Sequence, residues 1–432
     1  MASPRQTDAR PTDDNGLAPR RAAWQLLNGV TSEKRLLSEL DGTLEKLAPE
    51  DRARAMRLAV ATLRASGRAD RILKPHLRKR PPEIVMNALR LGVVEAAGGA
   101  PAHGVVNACV SLVGDSARLK TFRGMVNAVL RKAVEIEPAE WDKLPVPNLP
   151  KWLRRPLSAA WGDRTVQRIE HAHFAGAPLD LTAKGDPAVL AEQVSGELLP
   201  TGSVRLSDYG QVSALPGYAD GDWWVQDAAA AMPVRLLDPQ PGERILDLCA
   251  APGGKTLQLA AAGAEVTALD LSDSRLARVR ENLDRCRMTA NIVAADATTF
   301  EEDGWDAIVL DAPCSATGTI RRHPDLPFAR DGSEYFQLFE LQARLIDHAI
   351  GLLKPGGRLL YCTCSLLPDE GEAQLEEALE RHPDLAVAPL PEAGWIEAEW
   401  HADGGGLRLR PDFWSERGGM DGFFAAVLTK PG

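Results

Sequence analysis

Ile245-Leu246-Asp247-Leu248-Cys249-Ala250-Ala251-Pro252-Gly253-Gly254-Lys255-Thr256 reads as a buried strand, a turn of small residues and the start of a helix. Small residues let a ligand lie against bare backbone, and a helix N-terminus offers N–H groups with no partner inside the helix. Two phosphate-binding patterns fail on this stretch. A P-loop needs Gly-x-x-x-x-Gly-Lys-Ser/Thr; Gly254-Lys255-Thr256 supplies its end, but the first glycine position holds Cys249. The dinucleotide pattern Gly-x-Gly-x-x-Gly is missing too. An acidic residue, Asp247, stands at the end of the strand instead. A carboxylate there suits a ligand with hydroxyls and a cationic end, and S-adenosylmethionine is such a ligand.

Further apolar runs follow at Glu265–Leu269, Asn291–Ala295, Ala307–Leu310 and Arg358–Tyr361, each ending at a polar or cysteine-bearing turn, with helical patterns between. Strand and helix in alternation predict a doubly wound α/β sheet, mostly parallel, whose ligands bind at the carboxyl ends of the strands. The run Phe423–Leu428 predicts one more strand, and the whole unit is expected over residues 221–432. Ahead of it, residues 17–140 repeat apolar positions at helical spacing, as in Ala23, Leu26, Leu27 and Val30 or Met56, Val60 and Leu63. Prolines 75, 81 and 82 punctuate those helices. Residues 1–16 carry no periodicity and predict a disordered tail. The three prolines within 141–150 predict a linker, and residues 141–220 a small α/β lead-in domain.

Composition narrows the class. The 432 residues are 44% apolar and 25% charged, enough for several packed cores. No apolar run is long enough to span a bilayer, and the first residues lack the core of a signal peptide. Six cysteines in so long a chain are no disulfide framework, so a reducing cytoplasm is expected. The net charge of −10 argues against a nucleic-acid partner, but its distribution argues for one. Residues 1–140 carry +7 and the remainder −17; residues 52–80 hold ten Lys/Arg against the single Asp70. Such a stripe is either a footprint for phosphates or a solvated helix face.

Two cysteine motifs complete the pattern: Asp311-Ala312-Pro313-Cys314-Ser315-Ala316-Thr317-Gly318 and Thr363-Cys364-Ser365. With the Pro-Gly-Gly-Lys-Thr turn, they make the chain resemble the Nop2/Sun-type RNA cytosine-5 methyltransferases. Arg321-Arg322-His323-Pro324-Asp325 and Asp421-Gly422-Phe423-Phe424 resemble a member that acts on small-subunit ribosomal RNA and carries a NusB-like helical domain in front. The resemblance implies a class I, Rossmann-like methyltransferase domain and a NusB-like RNA-binding domain. S-adenosylmethionine is the cofactor it implies, and no metal.

Position and resemblance together assign the cofactor residues. Asp270, just over twenty residues after Asp247, falls where a carboxylate accepts ribose hydroxyls, and Asp296 where one reaches the adenine amino group. Read alone, each is also an aspartate capping a turn. Backbone from Cys249, Ala250, Ala251, Pro252, Gly253 and Gly254 would line the methionine end, and Asp311 would reach both ligands. Carbon 5 of cytosine needs a thiolate at carbon 6 before it can accept a methyl group. The resemblance implies Cys364 as that nucleophile, Cys314 as the residue that helps product release, Asp311 as the holder of the ring-nitrogen proton, and Lys255 facing the reaction. On chemistry alone either thiol fits the first step. A thiolate metal site is not expected, since Cys362-x-Cys364 has the wrong spacing and no histidine completes it.

Arg321, Arg322 and His323 are expected to grip phosphates beside a single-stranded or flipped cytidine, with Arg408 and Arg410 extending that groove. An exposed charged loop is the plainer reading. The implied substrate is small-subunit ribosomal RNA; transfer RNA, large-subunit RNA and a silent assembly factor remain alternatives. No second copy of the chain is required.

Overall fold

A computed structural model describes residues 16–432. The tail expected at residues 1–16 lies, but for Gly16, outside them. The chain divides into two compact units, one running to Pro150 and including His323–Asp331, the other formed by Lys151–Arg322 and Gly332–Gly432.

The first unit is all helical: α1 (Leu17–Thr31), α2 (Pro49–Leu73), α3 (Glu83–Ala97), α4 (Ala102–Gly114), α5 (Arg123–Ala133) and α6 (Pro138–Lys143). Pro49 opens α2 with Glu50 and Asp51 in its first turn, where missing N–H partners and the helix dipole favour both. α3 is buried almost all round, from Val85 to Glu95. Its polar members are paired: Glu95 takes Arg20 of α1 through two bonds of 2.7 Å, and Arg90 takes both oxygens of Asp70 at 2.7 and 2.9 Å. α6 crosses into the stretch expected as a linker. Its Trp141 ring lies 5.7 Å from the Arg68 guanidinium. The segment His323–Asp331 docks on this unit through Asp325, which accepts the Leu37 N–H at 2.9 Å, and through the Phe328 carbonyl, which accepts Lys34 Nζ at 2.9 Å.

The second unit opens with α7 (Lys151–Trp161) and α8 (Asp163–Ala175), so the alternation expected over this stretch begins only afterwards. β1 (Leu179–Ala183), β2 (Glu197–Leu198), β3 (Val204–Leu206) and β4 (Trp223–Val225) then form an antiparallel sheet in the order β2-β3-β1-β4, with α9 (Pro187–Val194) against it. The sheet of the expected lead-in stretch thus runs past residue 220 to take in β4.

The main sheet follows. Its strands are β5 (Arg244–Leu248), β6 (Glu265–Asp270), β7 (Asn291–Ala294), β8 (Trp305–Asp311), β9 (Leu353–Thr363), β10 (Ala386–Val387), β11 (Leu407–Leu409) and β12 (Phe423–Thr429). Helices α10 (Ala228–Leu237), α11 (Gly254–Ala261), α12 (Asp273–Cys286), α13 (Tyr335–Leu352) and α14 (Glu372–Arg381) cover its faces. The order is β10-β12-β9-β8-β5-β6-β7, with β11 beside β12. β5 to β9 pair in parallel, and β12 runs antiparallel to β9. Strand period sorts the two cores: Leu246, Leu248, Ile308, Leu310, Leu359 and Tyr361 pack toward α13 and α14, whereas Ile245, Val266, Val309, Leu360 and Cys362 pack on the other side. The chain turns from β5 toward β6 on one side and returns at β8 on the other. That reversal opens a crevice at the carboxyl ends of β5 and β8.

Candidate active site

Asp247 ends β5 wholly buried. Its Oδ2 accepts the Thr256 hydroxyl at 2.6 Å; its Oδ1 has no partner among the described residues. Burial pushes its carboxyl up to about 7, with Asp311 and Asp270 adding repulsion against the lowering by Thr256 and Lys255. The turn beyond it needs glycine at one point. Gly253 sits at φ +104°, and a Cβ there would lie 3.1 Å from Val279. Gly253 itself packs against Val279, and its neighbours Pro252 and Gly254 line the cleft just before α11. Burial, then Asp311, Asp270 and Asp247, push the thiol of Cys249 in this turn up to about 12.

Asp270 ends β6 and braces the same turn. It accepts the Ala251 N–H at 3.2 Å and the Ser272 N–H at 3.0 Å, and meets Arg275 at 3.3 Å. Beside it Leu271 is 76% exposed, an apolar side chain presented to the crevice rim. Asp296, after β7, is exposed and caps its own turn, accepting the Thr298 N–H at 2.8 Å and its hydroxyl at 2.7 Å. The bond from the Thr298 N–H holds its carboxyl below the ordinary range. The orphaned Asp247 oxygen, the cleft-lining Pro252 and Gly254 and the apolar rim fit a ligand with an ammonium and a ring, as S-adenosylmethionine has.

Asp311 ends β8. Its Oδ2 accepts Lys255 Nζ at 2.7 Å, and its Oδ1 lies 3.6 Å from the Cys362 thiol, its partner in register on β9. Lys255 is buried, with its ammonium 5.1 Å from the Phe423 ring centre. Burial opposes that charge, but Asp311 overcomes it and holds the ammonium above its usual range.

Cys314, three residues past β8, and Cys364, the first past β9, bring their sulfurs to 3.5 Å. The two loops are joined by backbone and hydroxyls. Gly318 N–H donates to the Cys364 carbonyl at 2.9 Å, and Ser315 and Thr317 hydroxyls meet that of Ser365 at 3.1 and 3.2 Å. Both thiols are half-buried. A cleft of about 440 Å³ is lined by Gln226, Lys255, Asp311, Arg322, Cys364 and Phe423; Cys314 sits behind Cys364.

The paired arginines require a correction. Arg321 is fully buried, and its guanidinium bonds Asp421 Oδ1 at 2.8 Å, Asp227 Oδ2 and the Gly418 carbonyl. It is committed to the protein and is not a phosphate ligand. Arg322 shares Asp421, bonding its Oδ2 through Nε at 2.7 Å, but its side chain is 37% exposed and lines the cleft. His323, the next residue, is grouped with the first unit. Arg408 is likewise buried, paired with Glu372 and the Ser365 carbonyl, and Arg410 bonds Asp412. Sequence reading gave charged residues in a motif to solvent; burial with matched carboxylates placed these in the frame instead. It also missed Asp227 and Glu370, both fully buried at the site. Neither carries a pattern of its own, since an acid near a helix start reads as a cap.

The comparisons with known proteins agree with the fold. The NusB family model matches residues 17–135, and the model described as 16S rRNA methyltransferase RsmB/F matches residues 234–429. Ribosomal RNA small subunit methyltransferase B of Pseudomonas putida is 36% identical over 445 residues, covering 95% of this chain and 98% of that protein. Its counterpart in Xanthomonas campestris is 38% identical over 444 residues, covering 96% and 98%. Among solved structures, a methyltransferase homolog protein from Pyrococcus horikoshii is 26% identical with a TM-score of 0.55, covering 68% of this chain and 96% of that one. With both domains matched in order and relatives similar along nearly the whole length, the chain belongs to the 16S rRNA methyltransferase RsmB/F family.

Proposed function

We propose that this chain methylates carbon 5 of a cytidine in small-subunit ribosomal RNA, with Cys364 as the nucleophile. The observation that carries this reading is the pair of thiols 3.5 Å apart, of which Cys364 opens on the cleft and Cys314 does not. The family and the names of its relatives support ribosomal RNA as substrate; six free cysteines fit a reducing cytoplasm.

The Cys364 sulfur adds to carbon 6 of the ring. The C5–C6 double bond opens, and its electron pair makes carbon 5 nucleophilic while negative charge spreads toward N3. Asp311 would hold a proton at N3, its carboxylate kept in place by Lys255. S-adenosylmethionine, held by Asp247, Asp270, Asp296 and the backbone of residues 249–254, would supply an electrophilic methyl group. Water reaching the cleft takes the carbon 5 proton as base; the electron pair of that C–H bond reforms the C5–C6 double bond, the C6–S bond breaks with its pair on the Cys364 sulfur, and N3 returns its proton to Asp311. Cys314 stands beside that sulfur and receives it as a hydrogen-bond donor. The cytidine must leave its stack to reach a half-buried thiol, so a single-stranded or flipped base is required. Arg322 is the cation at the cleft wall best placed to face its phosphates. All these groups come from one copy of the chain.

The test is trapping on denaturing gels with ribosomal RNA and S-adenosylmethionine. Cys314→Ser is expected to accumulate a protein–RNA adduct and Cys364→Ser to form none. The reverse pattern overturns the assignment of the thiols. Labelled methyl groups that never reach cytidine overturn the reaction itself.

A further inference from the structure

Two chemically identical thiols stand side by side, and the proposed reaction needs them to act differently. A buried carboxylate tells them apart. Glu370 lies in the turn Pro368–Glu370 beyond β9, with no exposed surface. Its Oε1 accepts the Ser315 N–H at 2.9 Å and Gln342 Nε2 at 3.0 Å; its Oε2 accepts the Ser315 hydroxyl. All three donors are neutral. Its backbone carbonyl accepts the Tyr361 and Thr363 hydroxyls at 2.8 and 2.9 Å, which ties the same turn to the end of the strand that carries Cys364. One residue thus grips the residue next to Cys314 with its side chain and the approach to Cys364 with its backbone.

Among the described residues no cation bonds the Glu370 carboxylate, which sits behind Cys314. Cys364 instead faces the cleft, whose wall carries both signs: Lys255 and Arg322, with Asp311 and Asp227. Burial works against the Arg322 guanidinium, but Asp421 and Asp227 outweigh it and keep it charged, and Cys364 acts on it in the same sense. The groups that act on Cys314 are Cys364 and Glu370, which favour its thiol, and the Ala316 N–H, which opposes them and is outweighed; the Tyr361 hydroxyl, which Cys314 influences in turn, is kept neutral by burial.

We propose that Glu370 is a positioning residue that makes the two thiols unlike, fixing the Ser315 turn so that Cys314 keeps its proton and donates it toward Cys364, the sulfur that faces the cleft. The inference rests on the roles given to the two cysteines under the proposed function. The electrostatics agree with the geometry: the hydrogen bond to Cys364 first, then burial, then the charges of Cys364 and Glu370 push the Cys314 thiol well above its usual range. After methyl transfer the same donor is in place to meet the departing sulfur.

The experiment is alkylation of the full chain by iodoacetamide, without RNA or S-adenosylmethionine, with rates for each cysteine read from peptide masses. In the wild type Cys364 should be labelled first and Cys314 last. Glu370→Gln keeps the shape and removes the charge; labelling of Cys314 relative to Cys364 should rise about tenfold, the change expected for roughly one pKa unit. Ser315→Ala keeps the charge and loses one donor, and should move the ratio about threefold or less. Equal acceleration of both thiols in Glu370→Gln, or of neither, overturns the proposal. Should that variant fail to fold, the wild type still decides, because Cys314 reacting as fast as Cys364 also overturns it. Thiol reactivity is read without substrate, so failure to methylate cytidine would sink the proposed function and leave this result standing.

Discussion

Asp247 carries an unusual burden for a carboxylate. Its ordinary value of 3.8 is raised to about 7 by burial. The folded chain therefore holds a proton that the unfolded chain has lost, and stability falls as pH climbs from about 4 to about 7, then levels off. A cationic ligand beside the orphaned oxygen reverses the preference. We expect S-adenosylmethionine to bind more tightly as pH rises toward 7, with affinity gaining up to about tenfold per unit below it. Calorimetric titration over that range checks this, and Asp247→Asn should give a flat profile. A flat wild-type profile would mean that Asp247 does not meet the charged end. Asp227 shows the opposite sign. Burial raises it, but Arg321 and Arg322 prevail and hold it at about 2. Its contribution to stability is complete above about pH 4 and is lost as pH falls toward 2. Arg321→Ala strands the buried Asp227 carboxylate and leaves Asp421 with Arg322 alone, and urea unfolding should show a loss of about 3–5 kcal/mol. A loss below about 1 kcal/mol would return Arg321 to the surface role its sequence suggests. Motif spacing had named Asp247, Asp311, Cys314 and Cys364 because their chemistry follows the strand ends. Arg321 was misread and Glu370 missed because partners 100 and 55 residues away in sequence, respectively, decide their burial.

At the scale of elements, the strand ends do the assembling. β8 and β9 lie in register at Asp311 and Cys362, so the loops that leave them carry Cys314 and Cys364 to the same place. A second contact closes the arrangement from the far edge. Gly318 and Gly422 meet backbone to backbone, with the Gly422 N–H donating to the Gly318 carbonyl at 2.8 Å. A Cβ on Gly318 would fall 2.0 Å from the Gly422 carbonyl oxygen, which no side-chain rotation relieves. Gly318→Ala should therefore push the Cys314 loop away from β12 while the sheet persists. Circular dichroism should stay near wild type while methyl transfer drops at least tenfold, since small misplacements of reacting groups carry costs of that order or more. Unchanged turnover would show that the loop is free to shift. Strand alternation had marked five parallel strands within a residue or so, except β9, which extends back to Leu353 through an irregular stretch opposite Trp305. Lys354-Pro355-Gly356-Gly357 hid it, because Pro and Gly read as a break, and pairing with β8 holds only on either side of them, at Leu353 and from Arg358 on.

Across the whole molecule, opposite charge is sorted along the chain. The first 140 residues carry +7 and the rest −17, so attraction to phosphates falls to the helical unit and to a few cations in the catalytic one. The basic run of residues 52–80, read from sequence as one stripe, is divided by the fold. Arg68 is buried, Arg54 pairs with Glu95, and Arg80 meets Asp70 and Glu83. Arg71, Lys74, Arg78 and Lys79 remain exposed around the end of α2. Sequence counted ten charges and could not tell anchored from exposed ones, because Glu83 and Glu95, which bind Arg80 and Arg54, come from α3. If the four exposed cations contact RNA backbone, each releases counterions, and the slope of log affinity against log salt should flatten by about 0.7 for every one removed from a single-stranded target. Replacing all four with alanine should then flatten it by about 3 and weaken binding of ribosomal RNA fragments, measured by fluorescence anisotropy between about 50 and 200 mM salt. Replacing Arg54 or Arg80 should leave the slope nearly unchanged, because each is already neutralised in the fold. Loss of slope in those variants, and none in the quadruple one, would move the RNA path off this end of α2.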